Sequence, residues 1–159
     1  ANTNPNKPKK LRLVFDAAAN VDGISINSQL LKGPQDIASL PSTLYNSRRG
    51  QIAVGADIRG MFHQILVQPC DRISQRFLWR DGNTEKPPDE YELVVMTFGA
   101  ACSPCSALYV MKANAQDHHA FNPRAIKAIC DHHCIDDFVD SFDSVDEAIN
   151  ISKQVREIH

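Results

Sequence analysis

An α+β fold with a mainly antiparallel sheet is the architecture this sequence predicts, and three observations lead to it. Short apolar and β-branched runs alternate with helical stretches, but without the regular rhythm of βαβ units or any internal repeat. Two of the strand candidates are joined by a turn-rich stretch, which reads as a hairpin with a long loop. A second hairpin is written as apolar pair, acidic tip, apolar pair in Cys134–Ile135, Asp136–Asp137 and Phe138–Val139. The 159 residues, 43% of them hydrophobic, can bury a sizeable core in one compact unit.

Taken in order, the first ten residues are polar and Pro-rich and predict a flexible lead-in to a short strand over Leu11 to Phe15. Pro34 to Arg48 carries a helical period, with Pro34 in its first turn and Pro41 expected to kink or split it. Gln51 to Asp57 predicts a strand ending in a carboxylate, and Phe77 to Arg80 and Glu90 to Met96 predict the two arms of the long-looped hairpin. Cys102 to His118 has no breaker beyond Pro104, which suits a first helical turn. Asn122 followed by Pro123 signals a further helix running to His132. Ser144 and Glu147 have capping-box spacing ahead of a last helix over Val145 to Ile158.

No apolar run is long enough for a membrane span, and ANTNPNKPKK lacks the apolar core of a secretory signal, so a soluble, intracellular chain is expected. The five cysteines are an odd number in a chain too long to need stapling, which favours reduced thiols. A net charge of −2 excludes a protein held to nucleic acid by a global basic excess. The charges are nonetheless asymmetric: Lys7, Lys9, Lys10 and Arg12 open the chain, and Asp131, Asp136, Asp137, Asp140, Asp143, Asp146 and Glu147 crowd its end.

Asp57 at a strand end and Asp136 and Asp137 at a hairpin tip can meet only through tertiary folding. Carboxylates that face one another repel, and they persist in a site when cations compensate; hard oxygens of this kind suit Mg²⁺ with substrate phosphates. Two such ions can activate an attacking hydroxyl and offset the charge growing on a transferred phosphoryl group. Read without their neighbours, an Asp pair at a turn is usually turn chemistry, and one Asp after a strand is common.

The neighbours add more. Val54 to Ile65, V-G-A-D-I-R-G-M-F-H-Q-I, resembles the first palm motif of retroelement reverse transcriptases, in which an aromatic follows the acid five residues later. Met96 to Ala107, M-T-F-G-A-A-C-S-P-C-S-A, is similar to their second motif in its Pao/BEL form, and Cys134 to Ser141, C-I-D-D-F-V-D-S, to the Y-x-D-D motif with its continuation. Arg12 to Ala19, Leu30 to Pro34, Arg76 to Arg80 and Val155 to His159 also resemble that family, so the likeness spans nearly the whole chain in the family's order.

The resemblance implies a right-hand polymerase, with an antiparallel palm sheet packed on helices. Residues 1–50 and 66–102 would belong to the fingers, and residues 51–65 and 103–159 to the palm. A thumb, a ribonuclease H, a protease and an integrase would be separate parts of a longer polyprotein. The implied activity is RNA-directed DNA polymerisation on a primed RNA or DNA template, using deoxynucleoside triphosphates and two Mg²⁺ ions, or Mn²⁺ in their place. Asp57, Asp136 and Asp137 match the metal-binding triad, with the Ile58 carbonyl as a further ligand. Phe62 matches the aromatic that leaves no room for a 2′-hydroxyl. Arg12 matches the fingers arginine on the triphosphate, assisted by Lys9 or Lys10, and Phe98 and Gly99 match the pair beside the nucleotide. Work inside cytoplasmic element particles or the nucleus would follow, with no membrane partner.

Two positions depart from the family pattern. Cys134 stands where Tyr is usual, and Gly60 follows Arg59 where a bulkier or charged residue is more usual. Cys134 therefore keeps open an inactive or domesticated polymerase fold that binds nucleic acid or a partner. A zinc module built from Cys102, Cys105, Cys130 and His132 is the other alternative.

Overall fold

The computed structural model describes residues 14–34 and 37–159, and the backbone of residues 2–3 and 11–12. In chain order the elements are β1 (Asn2–Thr3), β2 (Leu11–Arg12), α1 (Ile26–Gln29), α2 (Leu40–Asn46), β3 (Ile52–Asp57), two 3₁₀ turns (Met61–Gln64 and Pro69–Gln75), β4 (Arg76–Trp79), β5 (Asp89–Glu92), α3 (Ser103–Asp117), α4 (Pro123–Asp131), β6 (His133–Cys134), β7 (Asp137–Phe142) and α5 (Val145–Ile158). Helix and antiparallel sheet are both present, so the fold is α+β. The chain divides into two compact units, Ala1–Lys32 with Phe62–Ser103 and Gly33–Met61 with Pro104–His159. No helix among the described residues is long and apolar enough to cross a membrane.

The second unit is built on the antiparallel sheet β3-β7-β6. Phe138, Asp140 and Phe142 alternate along β7 and are all buried, at 3%, 1% and 2% exposure, so one face of the strand points into the core. On that side α5, with Ile151, Val155 and Ile158 buried, packs against β7, and α4, with Ala125, Ala128 and Ile129 buried, packs against α5 and β6. Both predicted caps form, the one at Ser144 as half of the expected capping box. The Asn122 side chain accepts from the Arg124 N–H and the Ser144 hydroxyl from the Glu147 N–H, each satisfying a donor at a helix start. Ser141 joins the far edge: its hydroxyl donates to the Asn46 carbonyl and accepts from the Gly50 N–H, tying the end of α2 to β7. Residues 33–50 lie in the second unit.

The first unit holds the hairpin β4–β5, with Phe77 opposite Tyr91 and Trp79 opposite Asp89. Asp81 and Gly82 take positive φ, 50° and 74°, at the turn closed by the Asn83 N–H on the Arg80 carbonyl. An Asp-Gly pair suits that turn because both central residues lie in the left-handed region.

Three predicted elements differ from what forms. Of the helix expected over Pro34 to Arg48, residues 35–36 lie outside the described residues and Leu40–Asn46 is helical behind Ser39, so Pro41 sits in the first turn, where its missing N–H costs nothing, and kinks nothing. The strand expected to run to Met96 stops at Glu92; beyond it Val94 and Met96 bond to Val67 and Ile65 as an isolated bridge, a non-local pairing without local signal. The strand expected over Leu11 to Phe15 is limited to Leu11–Arg12 among the described residues.

Candidate functional site

Six residues of β3 pair with β7, and the ladder ends with Asp57 opposite Asp137. Side chains of directly opposed residues leave the same face of a sheet, with Cβ atoms roughly 4.5–5.5 Å apart. Both carboxylates are exposed. The pairing then continues one step in the backbone: the Ile58 N–H donates to the Asp136 carbonyl at 2.9 Å, which fastens the hairpin tip to the end of β3. Three acids from two distant stretches of chain are thereby drawn to one sheet end. Like charges directly opposed are destabilising, so this end of the sheet favours a cation.

The tip itself is tighter than the sequence suggests. Cys134 pairs with Asp137, leaving only Ile135 and Asp136 as the turn, so Asp137 belongs to β7 rather than to the tip. Ile135 has φ 62°, a left-handed conformation that is costly for a β-branched residue. Backbone strain of this kind, of order 1–3 kcal/mol, persists only where the surroundings over-determine it, and here the β6–β7 pairing and the Ile58 bond do so. The Ile58 carbonyl accepts one bond, from the Met61 N–H, and keeps a second lone pair.

In the first unit, Phe62 meets Phe98 edge to face with centroids 4.8 Å apart, and His63 meets the same ring at 5.3 Å. Gly99 has φ 105°, and a Cβ there would lie 2.4 Å from the Phe15 carbonyl oxygen, so only glycine fits. Asn27 holds this loop from both sides, donating from Nδ2 to the Gly99 carbonyl and accepting from the Ala101 N–H. The buried Ser103 hydroxyl adds a bond to the Thr97 carbonyl. Sequence reading picks out Phe98 and Gly99 and misses Asn27, whose partners are more than seventy positions away. Arg12 lies in β2 with only its backbone described, and Lys9 and Lys10 lie outside the described residues.

A second omission is Asp140. Read from sequence it is one more member of an acidic crowd, yet its carboxylate is 1% exposed, with Oδ2 2.7 Å from Arg124 Nη2 and Oδ1 2.6 Å from His132 Nδ1. The Ser141 N–H also donates to Oδ1, at 2.8 Å. Burial pushes this carboxyl up, but His132 and Arg124 outweigh it and hold it below the ordinary range. The Arg124 guanidinium also lies over the Phe142 ring at 4.9 Å. Arg124 opens α4 and His132 caps it, so one buried carboxylate on β7 anchors both ends of that helix.

Among the described residues, no three or more His, Cys, Asp or Glu side chains form a group that could hold a metal ion, so the zinc alternative finds no coordination set. The Cys130 thiol is pushed up, by burial and then by Asp131. The three aspartates are likewise not gathered into such a group; what links them is backbone pairing, Asp57 with Asp137 in the ladder and Asp136 with Ile58 by a hydrogen bond.

No family model and no curated protein matches this chain.

Proposed function

We propose that this chain is the fingers-and-palm portion of a Pao/BEL-type retrotransposon reverse transcriptase, an RNA-directed DNA polymerase that adds deoxynucleotides to a primer 3′-hydroxyl. The observation that carries the reading is the register of β3 against β7, in which Asp57 and Asp137 are direct partners and Asp136 is bound through its backbone to Ile58. The order of sequence motifs around these residues supports it.

The donor set fits hard divalent cations: opposed carboxylates on an exposed sheet end, and a carbonyl with a spare lone pair. Asp57, Asp136, Asp137 and the Ile58 carbonyl would hold two Mg²⁺ ions, or Mn²⁺. Once bound, such ions acidify the primer hydroxyl and offset the charge that develops on the transferred phosphoryl group. Position is the task of the protein's own groups. By the resemblance, Phe62 excludes the 2′-hydroxyl, Arg12 meets the triphosphate, and Phe98 and Gly99, braced by Asn27, flank the nucleotide. A primed template is the macromolecular partner, with the thumb, ribonuclease H, protease and integrase of a polyprotein as neighbours and element particles or the nucleus as the place of work.

Cys134 favours a second reading, a polymerase fold that binds without catalysis, because a small thiol stands across from Asp137 where the family carries a ring. Mn²⁺ binding followed by electron paramagnetic resonance tests the metal site itself. Asp57→Asn and Asp137→Asn should each weaken it by about tenfold or more. Binding that neither substitution alters would remove the metal site from the proposal.

A further inference from the structure

Antiparallel register gives the β4–β5 hairpin one aromatic face, formed by Phe77 and Trp79 on one strand and Tyr91 and Asp89 on the other. Phe77 and Tyr91 stack with centroids 5.7 Å apart and 23° between their planes, and Phe15 closes on Phe77 edge-on at 5.1 Å. The outer rings are still half open, with Trp79 51% and Tyr91 46% exposed. With Phe77, Asp81, Lys86 and Asp89 they line a cavity of about 540 Å³. Single exposed apolar residues are ordinary, but adjoining rings around a concavity mark a binding surface.

Charge selects the occupant. The cavity already attracts a cation, for Lys86 Nζ lies 2.7 Å from Asp89 Oδ2. The Asp81 carboxylate has no partner among the described residues, so the lining keeps an uncompensated negative charge. A nucleobase would find the same stacking surface, yet its phosphates would approach a hairpin on which Asp81, Glu85, Asp89, Glu90 and Glu92 outnumber Arg76, Arg80 and Lys86. A guanidinium satisfies both features at once, since it stacks flat on Trp or Tyr while its in-plane donors reach a carboxylate. We propose that this face binds an arginine side chain of a partner polypeptide, stacked on Trp79 and Tyr91 with its donors on Asp81.

Trp79 is the sole tryptophan, so its emission reports on this face directly. The full chain is titrated with N-acetylarginine amide, with the citrulline analogue of the same shape but no charge, and with an oligo-dT strand. The expected result is a saturable change in Trp79 emission at millimolar arginine amide, with citrulline weaker by about fivefold or more. Asp81→Asn should weaken binding about as much, and because Asn tolerates the left-handed backbone at φ 50° the fold is kept. Lys86→Ala, which frees Asp89, should tighten it. Equal responses to arginine and citrulline, no response to either, or a response to the oligonucleotide alone would overturn the proposal.

Discussion

Asp140 and Arg124 form an ion pair between β7 and α4, with 2.7 Å between Oδ2 and Nη2 and the carboxylate almost wholly out of water. Asp140 stands three residues after Asp137 on the same strand, so the contact that seats α4 also fixes the strand that carries a candidate catalytic acid. Removing one partner of a buried pair leaves the other charge uncompensated. Asp140→Ala should therefore cost about 3 kcal/mol in urea denaturation, the lower end of the usual range because Arg124 is 30% exposed. A cost below about 1 kcal/mol, the usual size for a surface pair, would mean that Asp140 is not seated as described.

The histidines next to this cluster set a pH dependence. Burial, with His159 adding, brings His133 from 6.5 down to about 4, although the Ile129 and Ala128 carbonyls favour its proton. Between those values the unfolded chain takes up a proton that the fold refuses, so stability is full above pH 6.5 and is lost as pH falls towards 4. The slope is at most about 1.4 kcal/mol per pH unit for this one proton. His159, also lowered by burial, acts in the same sense. Asp140 has the opposite chemistry and a lower window: its contribution is present above 3.8 and lost as pH falls through its still lower folded value. Urea midpoints from pH 7 to 4 should fall along this curve, and His133→Phe should flatten it; an unchanged slope in the variant would assign the dependence elsewhere.

Two glycines separate conformational strain from steric conflict. Gly60 has φ 62° with open space around it, so Gly60→Ala should cost about 1–2 kcal/mol, the left-handed penalty alone. Gly99→Ala meets the Phe15 carbonyl oxygen as well and should cost more, since a backbone atom cannot swing away. Equal costs in denaturation would mean that the loop around Gly99 yields easily, and that Asn27 does not brace it.

Much of this architecture is legible residue by residue. Asn122–Pro123 and Ser144 announce helix starts because capping is a local bond, and the apolar, acidic, apolar pattern announces the acid hairpin because pleating alternates side chains. The turn at Ile135 and Asp136 is displaced by one residue from the expected tip, since register is decided by the partner strand. Asp140, Asn27 and the bridge from Val94 to Val67 are illegible for a common reason: their partners are distant in sequence, and an aspartate in an acidic stretch reads the same whether solvated or buried. The acids Asp57, Asp136 and Asp137 are candidates by motif alone, and it is the ladder that sets Asp57 opposite Asp137.

If Phe62 is the ring that meets the sugar, Phe62→Ala should relax discrimination against ribonucleotides by about 10–200-fold, the span that one missing apolar contact supports. The ratio of ribonucleotide to deoxynucleotide incorporation measures it. A ratio that stays the same would return Phe62 to ordinary packing against Phe98.

The most direct test of the central claim is primer extension on a primed RNA template with deoxynucleotides and Mg²⁺, using the chain joined to a thumb segment and compared with its Asp136→Asn variant. The account predicts extension that the substitution abolishes while circular dichroism shows the fold unchanged. A folded wild-type protein that fails to extend the primer, or a variant that extends it equally well, would contradict the polymerase reading.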